Sequence, residues 1–220
     1  MFKSLIQIIL WVIPWSIRRV LLRWFFGYNI HPKAKIGKSI ILAKELILKE
    51  YSSIGNFCFC KNIDRLVLGA YTNLGNFNYI TGVPTGINTH FTSVPNRKCE
   101  LIVGEQTGIT SRHYFDCTAG IYIGNFCQIA GYGTTFLTHS IDCVKSRQDA
   151  TSIRVGNYCF IGLKSTILKG VTIADKLVVG ACSLVTKKIE DSEALYGGDP
   201  CKFIKKIENA QFFNRTKGAL

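Results

Sequence analysis

Ile54-Gly55-Asn56-Phe57-Cys58 returns as Ile123-Gly124-Asn125-Phe126-Cys127 and again as Val155-Gly156-Asn157-Tyr158-Cys159, and Leu74-Gly75-Asn76-Phe77-Asn78 is a near copy. An aliphatic residue, a glycine, a polar residue, an aromatic and a small residue recur, which marks a solenoid of stacked coils. The unit is six residues long. From Val155 its aliphatic first position repeats at Ile161, Ile167, Ile173, Val179 and Val185, and its small or branched fifth position at Ser165, Val171, Leu177 and Ser183. Three units make a triangular coil of 18 residues. First-position aliphatics point inward and stack as ladders, and the fifth position faces the same crowded interior. Glycine or a turn residue is expected at the corners, where positive φ is needed.

Aliphatic–small pairs begin at Ile36, Ile54, Leu74, Val103, Ile123, Val155 and Ile173, with steps of 18, 20, 29, 20, 32 and 18. The long steps hold two excursions, Gly82–Glu100 and Ser140–Arg154, rich in polar residues, Gly or Pro. Long loops on a stiff scaffold are where function tends to sit. The expectation is an all-β chain: a parallel β-helix of about seven coils over 30–207 with two protruding loops, an N-terminal helix in 1–29 and a short C-terminal tail in 208–220. A chain of 220 residues suits one such domain with appendages.

The formal net charge is +13. With no helix-turn-helix, finger or RNA-binding signature, that charge points away from nucleic acid and toward an anionic membrane surface or a phosphate-bearing ligand. Cys58, Cys127 and Cys159 share the inward fifth position and read as small core residues. No Cys-x-x-Cys pair occurs, so a reducing compartment and no metal are expected.

Residues 2–26 are of another kind. Leu5–Val12 is apolar except for Gln7, the tryptophans of the chain are Trp11, Trp15 and Trp24, and Arg18, Arg19 and Arg23 follow. On a helical wheel the cations lie opposite Val20, Leu21 and Trp24, as in a basic amphipathic helix lying in a membrane interface. The apolar stretch falls short of the roughly 20 residues of a span. Pro14 is placed to kink it, and no small-x-small cleavage site follows. A cap over the open end of the solenoid is the compatible structural role. The expected location is the inner face of the cell membrane, as a peripheral cytoplasmic protein.

The repeat over about residues 30–207 resembles the left-handed β-helix of the hexapeptide-repeat acyltransferases. Three further stretches carry the resemblance: Thr135-Phe136-Leu137-Thr138-His139-Ser140-Ile141-Asp142 before the longest step, the Gly180–Lys187 coil ending in Val185-Thr186-Lys187, and Gly197-Gly198-Asp199-Pro200-Cys201-Lys202-Phe203-Ile204-Lys205. In the last, Asp199 and Cys201 stand where the family's pattern has Asn and Ala. The resemblance implies an acetyl-CoA-dependent O-acetyltransferase, with the amine as the other acceptor type, acting on a saccharide or glycan precursor as a homotrimer. It assigns His139 as general base. His113, Asp116 and Asp142 are candidates to orient the imidazole or bind acceptor. Gly162 and Ala181 are assigned to the pantetheine arm, and Thr186, Lys187, Lys202 and Lys205 to the donor end of the chain, the lysines meeting phosphates.

The chemistry is consistent with those residue types. Acyl transfer from a thioester to a hydroxyl requires removing the hydroxyl proton during attack, and an imidazole of ordinary pKa near 6.5 does so at neutral pH. Two alternatives remain at this level: an acyltransferase served by acyl carrier protein, and a non-catalytic β-helix that binds a partner. The three zinc histidines of a γ-type carbonic anhydrase are not spaced here, and the chain is too short for a nucleotide-binding domain.

Overall fold

The structure, a computed structural model, describes residues 2–86 and 90–218. The hexapeptide period becomes one short strand per flat side of a triangular coil. Three parallel sheets run along the axis: a first face from Asn29–Ile30 to Thr172–Ile173, a second from Lys35–Ile36 to Ala194–Gly197, and a third from Ile40–Ile41 to Leu184–Val185. The first and third faces each hold seven strands, so seven coils stack in a left-handed β-helix. Inward aliphatics sit on one another from coil to coil. On the second face Ile54, Leu74, Ile109, Ile129, Ile161 and Val179 form one such ladder, and all are essentially inaccessible.

The coil count stands, but the frame differs from the one expected. Ile36, Ile54 and Leu74 lie on the second face, whereas Val103, Ile123, Val155 and Ile173 lie on the first, over Leu68. The step of 29 therefore compares two different faces. The true step is 35, from Leu68 to Val103 and from Leu74 to Ile109. The aliphatic–glycine pair ends more than one kind of side, so it cannot say which side it ends. Glu100 belongs to the strand Glu100–Val103 rather than to the first excursion. The second excursion is an antiparallel hairpin, His139–Asp142 against Arg147–Ala150.

The corners also differ from expectation. The repeat's glycines do not take positive φ; Phe57, Phe77, Phe126 and Tyr158 do, at 54–57°. Glycine is needed for close approach instead. A Cβ on Gly55 would lie 2.7 Å from the carbonyl carbon of Gly75, and one on Gly124 would lie 2.6 Å from the Gly156 oxygen. The Asn Oδ1 of one coil accepts the backbone N–H of the coil before it, from Asn56 to Asn76 at 2.7 Å and from Asn125 to Asn157 at 2.8 Å. The fifth-position thiols of Cys58 and Cys127 donate to the Gly75 and Gly156 carbonyls. All nine cysteines are free. Gly124→Ala is accordingly expected to cost about 1–3 kcal/mol through overpacking against backbone that cannot yield, lowering Tm by about 2–4 °C per kcal/mol. Thermal unfolding of the variant checks this.

Helix α1 (Phe2–Ile9), a short 3-10 turn (Leu10–Val12) and helix α2 (Trp15–Phe26) close the first coil. The open edge of a solenoid presents unpaired backbone groups, and side chains of this segment meet them. Gln7 accepts from Ile41 N at 2.8 Å and donates to Ile41 O at 2.5 Å. Trp15 Nε1 donates to Ala34 O at 3.0 Å, and Arg18 donates to the Ile36 and Gly37 carbonyls at 3.3 and 2.8 Å. Leu10 and Leu22 join the common core, and Leu21 packs on it. Two expectations from the wheel are thereby corrected: Arg18 is buried, and Leu21 is turned to the coil. No helix of the described residues is long and apolar enough to cross a membrane.

The C-terminal end is tied down as well. The strand Lys202–Lys206 folds back on Ala194–Gly197. Beyond it Phe213 is buried, Phe212 meets Phe160, and Gly218 N donates to Gln106 Oε1 at 2.8 Å.

Candidate active site

His139 opens the hairpin at the border between the third face and the first, immediately after Thr135–Leu137. Asp116 occupies the same border one coil earlier, since Asp116 is in register with Leu137. The two meet: His139 Nδ1 lies 2.6 Å from Asp116 Oδ2. The carboxylate is 2% exposed and held from all sides. Its Oδ1 accepts from Thr118 N and Thr118 Oγ1 at 3.2 and 2.7 Å, and its Oδ2 from Thr138 N and His139 N at 2.9 and 3.1 Å. A carboxylate so placed takes the Nδ1–H tautomer as partner and leaves Nε2 with its lone pair free.

The electrostatics follow from this contact. The Asp116 hydrogen bond raises the imidazole above its ordinary value; burial and the cations Arg97 and Lys169 pull the other way without cancelling it. For Asp116, burial by itself pushes the carboxyl up, but the hydrogen bonds from His139 and Thr118 together outweigh it and hold the acid below its usual range.

Both excursions fold over this pair. Phe91 of the first meets the His139 ring edge-on at 5.9 Å, and the Arg97 guanidinium lies 4.6 Å over Phe91. Arg97 also donates to the carbonyls of Val83 and Thr118. Ser93 Oγ donates to Gln148 O of the hairpin at 3.1 Å, and Lys169 pairs with Asp149 at the hairpin's base. The His139 imidazole is thus half-enclosed by an aromatic ring and two cations. Phe91, Arg97 and Lys169 were not legible in the sequence. A lone aromatic in a polar loop was the available signal for Phe91, whereas Lys169 occupies an ordinary corner of the repeat.

Two expected partners lie elsewhere. His113 is 1% exposed; its Nδ1 accepts from Thr134 N at 3.1 Å, and its Nε2 faces Thr110 Oγ1 at 2.9 Å. Burial pushes it down to about 4, so it is a neutral group bridging two coils. Asp142 Oδ1 accepts from Val144 N and Lys145 N, both at 3.1 Å, and shapes the hairpin turn. A prediction follows for His113. The neutral form is favoured by folding, so its contribution is intact above pH 6.5 and is lost as pH falls toward 4. Acidification from pH 7 to 5 is expected to cost about 2 kcal/mol at this residue. Urea titrations at the two pH values, with His113→Asn losing much of that difference, check it.

The expected donor residues divide. Gly162 is buried, and a Cβ there would lie 2.5 Å from Ala181 N, so its bare Cα makes room for the next coil. Ala181, Thr186, Lys187, Lys202 and Lys205 are exposed. The register sets Leu168 over Leu137 and Val185 over Ile167. Continuing that register, Thr186 and Lys187 stand in line with Leu137 and Thr138, two coils on, about 10 Å away at the usual strand spacing. A bulge in the last strand pair sets Lys202 opposite Gly197 and Lys205 opposite Leu195, so the two lysines share one face. Among the described residues no group of three or more His, Cys, Asp or Glu is placed to hold a metal ion.

No family model matches the chain. Over 83 residues it is 39% identical to "Putative acetyltransferase YvoF" of Bacillus subtilis (strain 168), which takes in 38% of this chain and 46% of that protein. The chain thus spans about half the length of this curated relative. Among solved structures, the polysialic acid O-acetyltransferase OatWY superposes with a TM-score of 0.56 at 18% identity, covering 86% of this chain and 92% of that one. A maltose O-acetyltransferase from Clostridium difficile 630 does so with a TM-score of 0.50 at 19% identity, covering 94% and 86%. The fold is that of the hexapeptide-repeat acetyltransferases.

Proposed function

We propose that the protein is an acetyl-CoA-dependent acyltransferase that moves an acetyl group to a hydroxyl of a saccharide or glycan precursor. The observation that carries this is the buried Asp116 holding His139 Nδ1, with Nε2 left to act. Asp116 selects the tautomer and stabilises the imidazolium that forms. His139 Nε2 accepts the acceptor's proton as its oxygen bonds to the thioester carbonyl carbon. The C–S bond then breaks and the thiolate leaves with the electron pair. Both nucleophile and leaving group are competent in one complex, so a covalent enzyme intermediate is unnecessary. Names among the relatives point to acetyl transfer, and the exposed Lys187, Lys202 and Lys205 provide charges for the phosphates of the donor.

The assembly we infer is a trimer, because a single coil stack leaves exposed the edge on which Thr186 and Lys187 stand. Sedimentation as an active monomer would contradict it. We further infer that the cap rests on the cytoplasmic side of a membrane. Its outward side exposes Leu5, Ile9, Val12, Ile17, Val20 and Trp24; Lys3, Arg19 and Arg23 flank them, and the first acidic residue of the chain is Glu45. Such a surface matches an anionic interface.

The test is free-thiol release from acetyl-CoA in the presence of a panel of glycan hydroxyl acceptors. Acceptor-dependent release that disappears in His139→Ala supports the reading. A purified protein that binds no acetyl-CoA, or a variant that retains full release, overturns it.

A further inference from the structure

Two columns of aromatic rings climb the third face and its border with the second. In one, Trp11 of the cap meets Phe57 edge-on at 6.3 Å, Phe57 stacks on Phe77 at 5.2 Å, and the Arg112 guanidinium lies 5.5 Å from the Phe77 ring. In the other, Phe59, Tyr79 and Tyr114 follow one another at 5.8 and 5.5 Å, and Lys61 Nζ stands 5.7 and 5.9 Å from the first two rings. Phe57 and Phe77 are about half exposed, at 51% and 50%.

Stacked rings alone prove little in a repeat, since Phe126 and Tyr158 also stack at a corner. Charge sets this side apart. Around the first face and its border with the second, three cations are matched by acids, Lys33 with Glu50, Arg65 with Glu45 and Lys176 with Glu193, while Arg154 lies over the Tyr122 ring. Lys38, Lys61, Arg112 and Lys164, on or beside the aromatic side, have no acidic partner among the described residues. The acid belonging to the third-face strands there is Asp116, which is buried and engaged by His139. The second column also leads somewhere. Tyr114 and Asp116 share the strand Tyr114–Asp116, two residues apart, about 7 Å along an extended chain.

We propose that this stripe is the acceptor track: it binds an anionic saccharide chain and delivers one of its hydroxyls to His139. The proposal rests on the acyltransferase reading. The rings stack on one another, so they turn their edges outward, and the positive edge of an aromatic ring suits the oxygens and carboxylates of a saccharide chain. Unpaired Lys and Arg supply a positive field for carboxylate or phosphate groups along the chain. The track starts at Trp11 in the cap, so a glycan held at a membrane would enter from that end and reach the base after about three coils. A hydroxyl-bearing polymer suits acyl transfer.

The test is equilibrium binding, without donor, of oligogalacturonates of increasing length and of neutral maltooligosaccharides of the same lengths to the full chain. Affinity is expected to rise with length in the acidic series, to exceed that of the neutral series, and to weaken with salt. The double variant Phe77→Ala, Tyr79→Ala is expected to lose about tenfold or more in affinity for the longer acidic oligomers. The double variant Lys61→Gln, Arg112→Gln is expected to flatten the salt dependence. Equal binding of the two series, or unchanged affinity in the aromatic variant, overturns the proposal. So does tighter binding of oligothymidylate. An aromatic variant that breaks up an oligomer while keeping its saccharide affinity assigns the stripe to a subunit contact and likewise overturns it. Failure of the acyltransferase reading is seen separately, as oligosaccharide binding that persists without thiol release.

Discussion

His139→Ala should lower acceptor-dependent thiol release by about 10²–10⁴-fold, the usual worth of a positioned general base, while leaving donor binding and Tm close to wild type. His139 is part-exposed at the start of a hairpin and belongs to no ladder, so its loss opens no core cavity. Asp116→Asn separates positioning from proton transfer. The imidazole acts as a base only when neutral, so wild-type activity should fall as pH drops through a pKa that Asp116 has raised. With the charge removed, that acidic limb should move to lower pH and the plateau should fall. The shift is the informative readout, because a merely damaged fold lowers the plateau without moving the limb. If the limb stays put in Asp116→Asn, the pair does not set the basicity of His139.

The second large effect concerns the cap. Deleting residues 1–26 removes Gln7, Trp15 and Arg18 from the edge carbonyls and N–H of the first coil, and Leu10 and Leu22 from the core. An uncapped solenoid end is both unsatisfied and adhesive. The truncated chain is therefore expected to aggregate, even in detergent, rather than to remain a soluble β-helix. A monodisperse truncation with wild-type Tm would refute this. The proposed membrane contact has to be examined with the cap present. Val12→Ser with Trp24→Ser changes only outward side chains, exposed by 88% and 76%. It should leave Tm unchanged and reduce co-flotation with anionic vesicles. Undiminished flotation would place membrane contact elsewhere.

The contrast between the two halves of the N-terminal segment shows what a helical wheel can and cannot tell. The wheel grouped Arg18, Arg19 and Arg23 because it knows only angles. Arg18 is separated from the others by the first-coil carbonyls, which are formed by residues 18 and 19 positions later in the chain. The same limit governs the site. His139 stood out because it lies beside a break in a regular pattern. His113, Asp116 and Asp142 could not be ranked, because the choice depends on which coil stacks on which face. The register of Asp116 with Leu137 brings Asp116 under the imidazole, and it leaves His113 inside the coil and Asp142 in the turn.

Gly162 marks the same boundary more finely. A glycine in a repeated slot reads equally as room for a ligand and as room for a neighbouring backbone, and the 2.5 Å from a Cβ at Gly162 to Ala181 N shows that the next coil needs that room. By itself the sequence determined the coil, its ladders and its two excursions, because a six-residue period is a local property that each unit repeats. The tertiary structure alone decided the frame of the faces, the partner of His139, the fate of Arg18 and the convergence of Phe91, Arg97 and Lys169 on the imidazole. Those depend on contacts between residues about 20 to 50 positions apart, set by the lengths of the excursions and by stacking at about 4.8 Å per coil, which no local pattern encodes.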